Sequence, residues 1–156
     1  MPNGKVHTYA TVALALASIP ATDLPLTMGV LSGLALSPDA DVDHGFIGMA
    51  HLRRVWFIGP ALSGLWRLFW WPYSKIVPHR SHISHSIFFG TALRVGYLLL
   101  PVLAINMMGV PLHLPAGFGH WFIGLCLSDA LHIVMDHVVK TKKKRPIVRD
   151  VSDEMI

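Results

Sequence analysis

The sequence contains apolar stretches that are longer and less interrupted than those in the core of a small soluble domain. Residues 87–114 carry a single charged side chain, Arg94, and a second stretch, more polar toward its end, covers residues 118–135. A helix needs about 20 apolar residues to cross a bilayer. The charged fraction of 14% also lies far below the roughly 25% of soluble domains. We therefore expect a single-domain helical membrane protein.

Two shorter apolar stretches, at residues 8–19 and 24–36, are separated by a turn that contains Pro20 and Asp23. Proline and a helix-capping aspartate are typical of a break between helices, so the pattern predicts a helical hairpin of marginal length for two full spans. An alternative is a cleaved secretory signal, since Lys5 precedes the first stretch and small residues follow it. A second apolar segment follows at once, which an exported protein does not need. We therefore favour a retained first helix.

These stretches predict an all-α fold, a four-helix membrane-associated bundle with an interfacial segment between helices 2 and 3. The interfacial segment, residues 50–75, mixes Trp and Tyr with Arg and Lys, as at a bilayer surface. Its prolines predict short pieces instead of one long amphipathic helix. We assign residues 1–139 to a single helical domain and residues 140–156 to a basic, flexible C-terminal tail. The four helices are predicted at residues 6–19, 24–37, 82–110 and 117–139.

The positions of the basic residues predict the orientation of the bundle. Of 13 Lys and Arg residues, only Arg94 lies inside an apolar segment, and the turns at residues 20–23 and 109–119 have none. The positive-inside rule therefore places the basic regions and both termini on the cytoplasmic side. The basic run at residues 140–145 then serves as a contact for anionic lipid headgroups of the bilayer. Nucleic-acid binding is a weaker alternative, because no recognition motif accompanies the run.

Short polar islands at the ends of the apolar segments contain nearly every hard-metal ligand of the chain. Carboxylates and imidazoles are costly beside apolar segments unless they pair, face water or bind a cation. On the predicted topology, which rests on cations and hydropathy alone, all of these islands fall on the cytoplasmic side. We therefore predict one dispersed metal site. The islands are His7, Asp39 with Asp41, His79 with Arg80, His85, Asp129, and His132 with Asp136.

The spacing on helix 4 supports a shared site. Asp129, His132 and Asp136 stand at i, i+3 and i+7, so they line one face of the helix. His132 and Asp136 are spaced to bind one cation together. Asp129 has an alternative, which is to pair with Arg94 or with a lysine.

The ligand types restrict the metal without identifying it. Imidazoles and carboxylates without thiolates suit zinc, our first expectation, with manganese, iron or nickel as alternatives, and so many ligands could hold two or three ions per chain. Ahead of helix 3, His82 and His85 could both bind the metal, or one of them could bind it while the other holds that ligand in place. Asp43 and His44 stay undecided. Cys126 is the single cysteine, which excludes an intrachain disulfide and is typical of a small buried residue.

Four motifs together resemble a family of small bacterial membrane proteins described as metal-binding, over almost the whole chain. That family is similar to the YdjM-type inner-membrane metal-dependent hydrolases, and distantly similar to the all-helical zinc phospholipase C and P1 nuclease group. The chain departs from the YdjM-type pattern where Val42 and Asp43 separate Asp41 from His44. The motifs lie at residues 4–7, 37–41, 78–86 and 132–136.

The resemblance implies a bacterial inner-membrane protein with a metal site on the cytoplasmic side. It implies a metal-dependent hydrolase in which divalent ions activate water against a phosphoester, for which we expect a lipid-like substrate. Asp41 would be a ligand or the general base, and Arg80 would pair with a phosphate oxygen or, as an equal alternative, serve as an interfacial cation. The implied metal ligands are His7, Asp39, Asp41, His79, His85, His132 and Asp136.

A second hypothesis is a non-catalytic, metal-stabilised membrane binding or regulatory module, in which the ion ties short helices together. An open coordination position distinguishes a catalytic site from a closed structural one. A metal transporter ranks third, because it requires ionisable residues through the membrane depth and only Arg94 lies there. The sequence leaves the oligomeric state open.

Overall fold

The computed structural model describes residues 4–38, 58–77, 81, 83, 86–111 and 113–143. These residues form five α-helices and no strand, which confirms the all-α class for this part of the chain. The count differs from the predicted four because the segment between the second and third predicted helices is itself helical. The helices are α1 (Gly4–Ser18), α2 (Leu24–Ser32), α3 (Ile58–Ile76), α4 (Ile87–Met107) and α5 (Phe118–Lys143).

The expectation that prolines break the interfacial segment was wrong, because α3 is one helix of 19 residues. Pro60 lies in its first turn, where a backbone N–H has no partner within the helix anyway. Pro72 removes one hydrogen bond close to the carboxyl end, so the rest of the ladder is intact. The effect of a proline therefore depended on its position in the helix, which the sequence pattern did not reveal.

Small residues allow α2 and α5 to pack with their backbones in close approach. Gly29 on α2 faces Gly124 on α5, and a Cβ at Gly29 would collide with the carbonyl of Trp121. One turn further along, Gly33 packs against the side chain of Ser128. This arrangement of small residues four apart on both helices is common where membrane helices associate, because it brings backbones into van der Waals contact.

The contacts between helices fix their directions. Along α2 the contacts move from Pro25 beside Gly117 to Gly33 beside Ser128, so α2 and α5 run parallel. The short connection between them makes α1 antiparallel to α2. Thr91 and Arg94 of α4 contact Asp129, and the Phe88 ring lies 5.7 Å from the Phe122 ring, so the first turns of α4 lie beside the first half of α5. Consequently the start of α1 and the end of α2 lie toward the same end of the molecule as the second half of α5.

The helix α3 packs against the middle of α4 through aromatic rings. The Tyr97 hydroxyl donates a hydrogen bond of 2.5 Å to the Phe69 carbonyl. Its ring lies 5.0–5.5 Å from the rings of Phe69, Trp70 and Tyr73. Trp70 and Tyr73 are buried and join Leu125 of α5 in the main apolar core. This part of the predicted interfacial segment is therefore integrated into the helix bundle.

Two of the described helices are long and apolar enough to cross a membrane, Ile87–Met107 and Phe118–Val138. Only 22% and 28% of these windows are buried inside the structure, so most of their residues are at least partly exposed. A core helix of a soluble protein would be mostly buried. With 15 and 9 residues, α1 and α2 extend about 22 and 14 Å, shorter than the roughly 30 Å hydrocarbon core.

The predicted limits of the helical domain stay a prediction, since residues beyond 143 are not described. The helix α5 continues to Lys143, past the helix end predicted at residue 139. The remainder of the predicted tail, residues 144–156, lies outside the described residues.

Candidate metal centre

Three polar side chains from the two ends of the sequence meet at one end of the bundle. His7, His132 and Asp136 each present one ligand atom, and these atoms lie within 4.8 Å of one another. His7 Nε2 lies 3.3 Å from Asp136 Oδ1. The rings of His7 and His132 stack with centroids 4.2 Å apart at an interplanar angle of 25°. We refer to these three residues as the His–Asp cluster.

The helices explain why these side chains converge. His7 lies in the first turn of α1, and His132 and Asp136 are four residues apart on α5, where side chains share a face. His132 is 8% exposed, and the side chains of His7 and Asp136 are 14% and 12% exposed. The cluster is therefore shielded from solvent but not closed off from it.

The donor set fits a divalent metal ion. Two imidazole nitrogens and one carboxylate oxygen are ligands that zinc and other first-row divalent ions accept, and three protein ligands of this kind are found in catalytic zinc sites. The three atoms are close enough together to contact a common ion without a change of backbone. Cys126, the single cysteine, lies six residues before His132 and ten before Asp136, about 9 Å and 15 Å of rise along α5, so the cluster contains no thiolate.

The other predicted ligands belong to segments that the structure does not describe. Asp39 and Asp41 follow the end of α2, where Gly33 packs beside Ser128, one turn before His132. His79, Arg80 and His85 precede α4, whose first turns contact Asp129 through Thr91. The end of α2 therefore lies toward the His–Asp cluster, whereas the first turns of α4 lie against Phe122 and Asp129 of α5. The roles of these five residues stay predictions.

Asp129 is engaged with Arg94, which was one of the two alternatives for this residue. Arg94 Nη2 donates to Asp129 Oδ2, and the hydroxyl of Thr91 donates to the same oxygen. Both charged side chains are 1% exposed. Sequence analysis did not identify Thr91. A lone arginine in an apolar helix requires a buried counter-charge, and that requirement was the available signal.

A second polar contact, between Asp23 and His120, lies at the opposite end of the bundle. Asp23 caps the start of α2, accepting from the Leu26 N–H at 3.1 Å, and also contacts His120 Nδ1 in the first turn of α5. The hydrogen bond with His120, followed by that from Leu26, holds the pKa of the Asp23 carboxyl below its usual value. The sequence pattern predicted the helix-capping role of Asp23 but not its contact with His120.

Comparison with known proteins gives one match. No curated protein and no solved structure matches the chain, so the resemblance to YdjM-type hydrolases and to the zinc phospholipase C group receives no support there. A family model does match, over residues 2–118. This range includes His7 and ends before His132 and Asp136. Because it covers well over half of the chain, the protein belongs to DUF2227, a family of uncharacterised metal-binding proteins.

Proposed function

We propose that this protein is a membrane-embedded, metal-dependent hydrolase that acts on a lipid-like phosphoester at the cytoplasmic face. The observation that carries the metal-binding part is the His–Asp cluster, three ligand atoms within 4.8 Å contributed by α1 and α5. Membership of a metal-binding family agrees with it. Hydrolysis is the further step, supported by the ligand types and by the excess of candidate ligands over the four of a structural ion.

Outward-facing apolar surface supports the membrane location. Large apolar side chains are exposed along both long helices, among them Phe88, Phe89 and Leu100 on α4 and Ile123 and Val134 on α5. Contiguous exposed apolar surface of this extent is typical of contact with lipid or with a partner protein. The distribution of basic residues orients the bundle, with the His–Asp cluster on the cytoplasmic side, in a bacterial inner membrane.

The residues of this chain have distinct roles in the proposal. His7, His132 and Asp136 hold the ion, with Asp39, Asp41, His79 and His85 as further proposed ligands for a second or third ion. A divalent ion held there would polarise a phosphoryl oxygen and activate water near neutral pH. Arg80 would orient a phosphate oxygen through its planar guanidinium, and Asp41, when not a ligand, would accept a proton. Zinc is the proposed metal, with manganese, iron or nickel as alternatives.

A specific observation favours a second candidate function, a metal-stabilised binding or regulatory module without turnover. The His–Asp cluster joins the first turn of α1 to the second half of α5, so a bound ion would cross-link two helices. Membrane helices lack the hydrophobic drive that associates helices in water, so such a cross-link would contribute to the fold directly.

Metal content tests the shared part of both candidates. We expect the detergent-purified wild type to contain at least one divalent ion per chain by elemental analysis, and His132→Ala and Asp136→Ala to lose it. His120→Ala is the matched control, since it removes a histidine of α5 at the opposite end and should leave the content unchanged. A wild type without metal would contradict both candidates.

Turnover then separates the two. With metal bound, we expect the wild type to hydrolyse bis-p-nitrophenyl phosphate or a phospholipid presented in mixed micelles, and the two cluster variants not to. A metal-loaded wild type without turnover on either substrate, whose thermal stability falls when the metal is removed by a chelator, would support the structural module instead.

A further inference from the structure

We propose that Arg94 and Asp129 form a neutral charge pair that permits a cation to bind at the His–Asp cluster, with Asp129 acting as the counter-ion of Arg94 and not as a metal ligand. The inference rests on the proposed metal binding at His7, His132 and Asp136. It assigns a role to the two most deeply buried charges in the described part of the chain, and it makes both of them positioning residues for the metal centre.

The burial of the pair shows that neither charge can be satisfied by water. Both side chains are 1% exposed, and Arg94 is the largest fully buried side chain of the described residues. Arg94 contacts Asp129 Oδ2 directly and Thr91 Oγ1 at 3.5 Å. A buried ion that loses its partner is strongly destabilising, because the charge remains where solvent cannot reach it. The two charges therefore function as a unit.

The pair lies next to the cluster on the same helix. Asp129 precedes His132 by three residues, so their side chains share a face of α5 and interact electrostatically. Both are buried, at 1% and 8% exposure. In such a low-dielectric setting, a unit charge one helical turn from a bound divalent ion affects its affinity far more than it would in water.

The contacts of Asp129 argue against a ligand role. Its Oδ2 atom receives hydrogen bonds from both Thr91 and Arg94, and Asp129 does not belong to the set of ligand atoms that lie within 4.8 Å of one another, which comprises His7, His132 and Asp136. The guanidinium beside it would also oppose the approach of a second cation. Without Asp129, the site would lose one negative charge beside Arg94, and the net charge near the cluster would become less favourable for a divalent ion.

A double-mutant cycle on zinc affinity tests the proposal. The affinity of purified, metal-stripped protein for Zn²⁺ is measured by competition with a chromophoric chelator. We expect Asp129→Asn, which keeps the shape but removes the charge, to weaken Zn²⁺ binding by about tenfold or more. Adding Arg94→Gln to Asp129→Asn removes both charges and leaves two amides able to pair, and it should return the affinity to within about threefold of the wild type.

Two controls isolate the effect of charge near the site. Asp23→Asn removes a carboxylate at the other end of the bundle and should leave Zn²⁺ affinity unchanged. Thr91→Val removes a hydroxyl from the same contact without altering charge, and we expect a small effect, within about threefold. A loss in Thr91→Val as large as that in Asp129→Asn would show that hydrogen bonding, not charge, governs the site and would overturn the proposal.

The outcomes separate this inference from the proposed function. If Asp129 is a metal ligand, the double variant stays as weak as Asp129→Asn, which overturns the counter-ion role while metal binding stands. If Asp129→Asn does not fold, the double variant alone decides, since an affinity near that of the wild type supports the proposal and a tenfold loss overturns it. A wild type that binds no Zn²⁺ would overturn the proposed function together with this inference.

Discussion

The Asp23 carboxylate interacts with two neighbours: it accepts a hydrogen bond from the Leu26 N–H, which caps α2, and it contacts His120 on α5. Both interactions favour its charged form, and its pKa in the folded protein is accordingly lower than the ordinary value of 3.8. A carboxyl group with a depressed pKa adds stability that is fully present above its unfolded pKa. That contribution is lost as the pH falls through the folded value.

This linkage predicts a pH-dependent effect of Asp23→Asn. Asparagine also caps helices, so the substitution removes the charge and largely preserves the cap. We expect a melting temperature slightly below that of the wild type at pH 7, and a difference that shrinks once the pH falls below 3.8 and disappears below the lower pKa of the folded state. Thermal unfolding of both proteins in detergent between pH 7 and pH 3 measures it. A difference that grows toward acid pH would contradict the assignment.

At the scale of helices, the contact between α2 and α5 depends on positions where no side chain can be accommodated. A Cβ at Gly29 would meet the backbone of Trp121, and a Cβ at Gly124 would meet that of Leu26. Backbone atoms cannot rotate away as a side chain can, so the two helices would have to separate. By contrast, no atom lies within 4 Å of a Cβ built at Gly96 on α4.

We therefore predict opposite effects of the same substitution at two glycines. Gly29→Ala should destabilise the protein by about 1–3 kcal/mol, as overpacking of a tight contact does. Gly96→Ala should be neutral or stabilise the protein by up to about 1 kcal/mol, because alanine favours the helix. Chemical denaturation in mixed micelles measures both. Equal effects at the two positions would show that the α2–α5 contact is looser than described.

The elements were predictable from the sequence where one physical constraint dominated. Long apolar runs predicted α4 and α5, and the break near Pro20 and Asp23 predicted two short helices, because hydropathy and capping act locally. The helix α3 was missed because Pro60 and Pro72 fall where a helix tolerates proline, which depends on where the helix begins and ends. The glycine spacing in α2 was visible, but its partner on α5 depends on the tertiary arrangement.

At the scale of the whole molecule, the candidate site is a consequence of topology. Helices that alternate in direction bring the start of α1 and the second half of α5 to the same end, and this allowed the meeting of His7, His132 and Asp136 to be predicted from charge placement. The same reasoning could not choose between the two alternatives for Asp129. That choice depends on which faces of α4 and α5 meet, and Thr91 and Arg94 lie on the meeting face of α4.

The two ends of the bundle make the membrane topology testable. The Asp23–His120 contact places the α1–α2 turn beside the start of α5, whereas the His–Asp cluster lies toward the other end of α5. If the Phe118–Val138 window crosses the bilayer, these ends face opposite compartments.

In a Cys126→Ala background, we expect Ala21→Cys to react with a membrane-impermeant maleimide in intact cells. Thr141→Cys should react only after the cells are permeabilised, because the basic residues favour the cytoplasmic side for that end of the bundle. Labelling of both cysteines in intact cells would place both ends outside and would contradict a cytoplasmic metal site, whereas the expected asymmetry would support a site that meets its substrate at the inner leaflet.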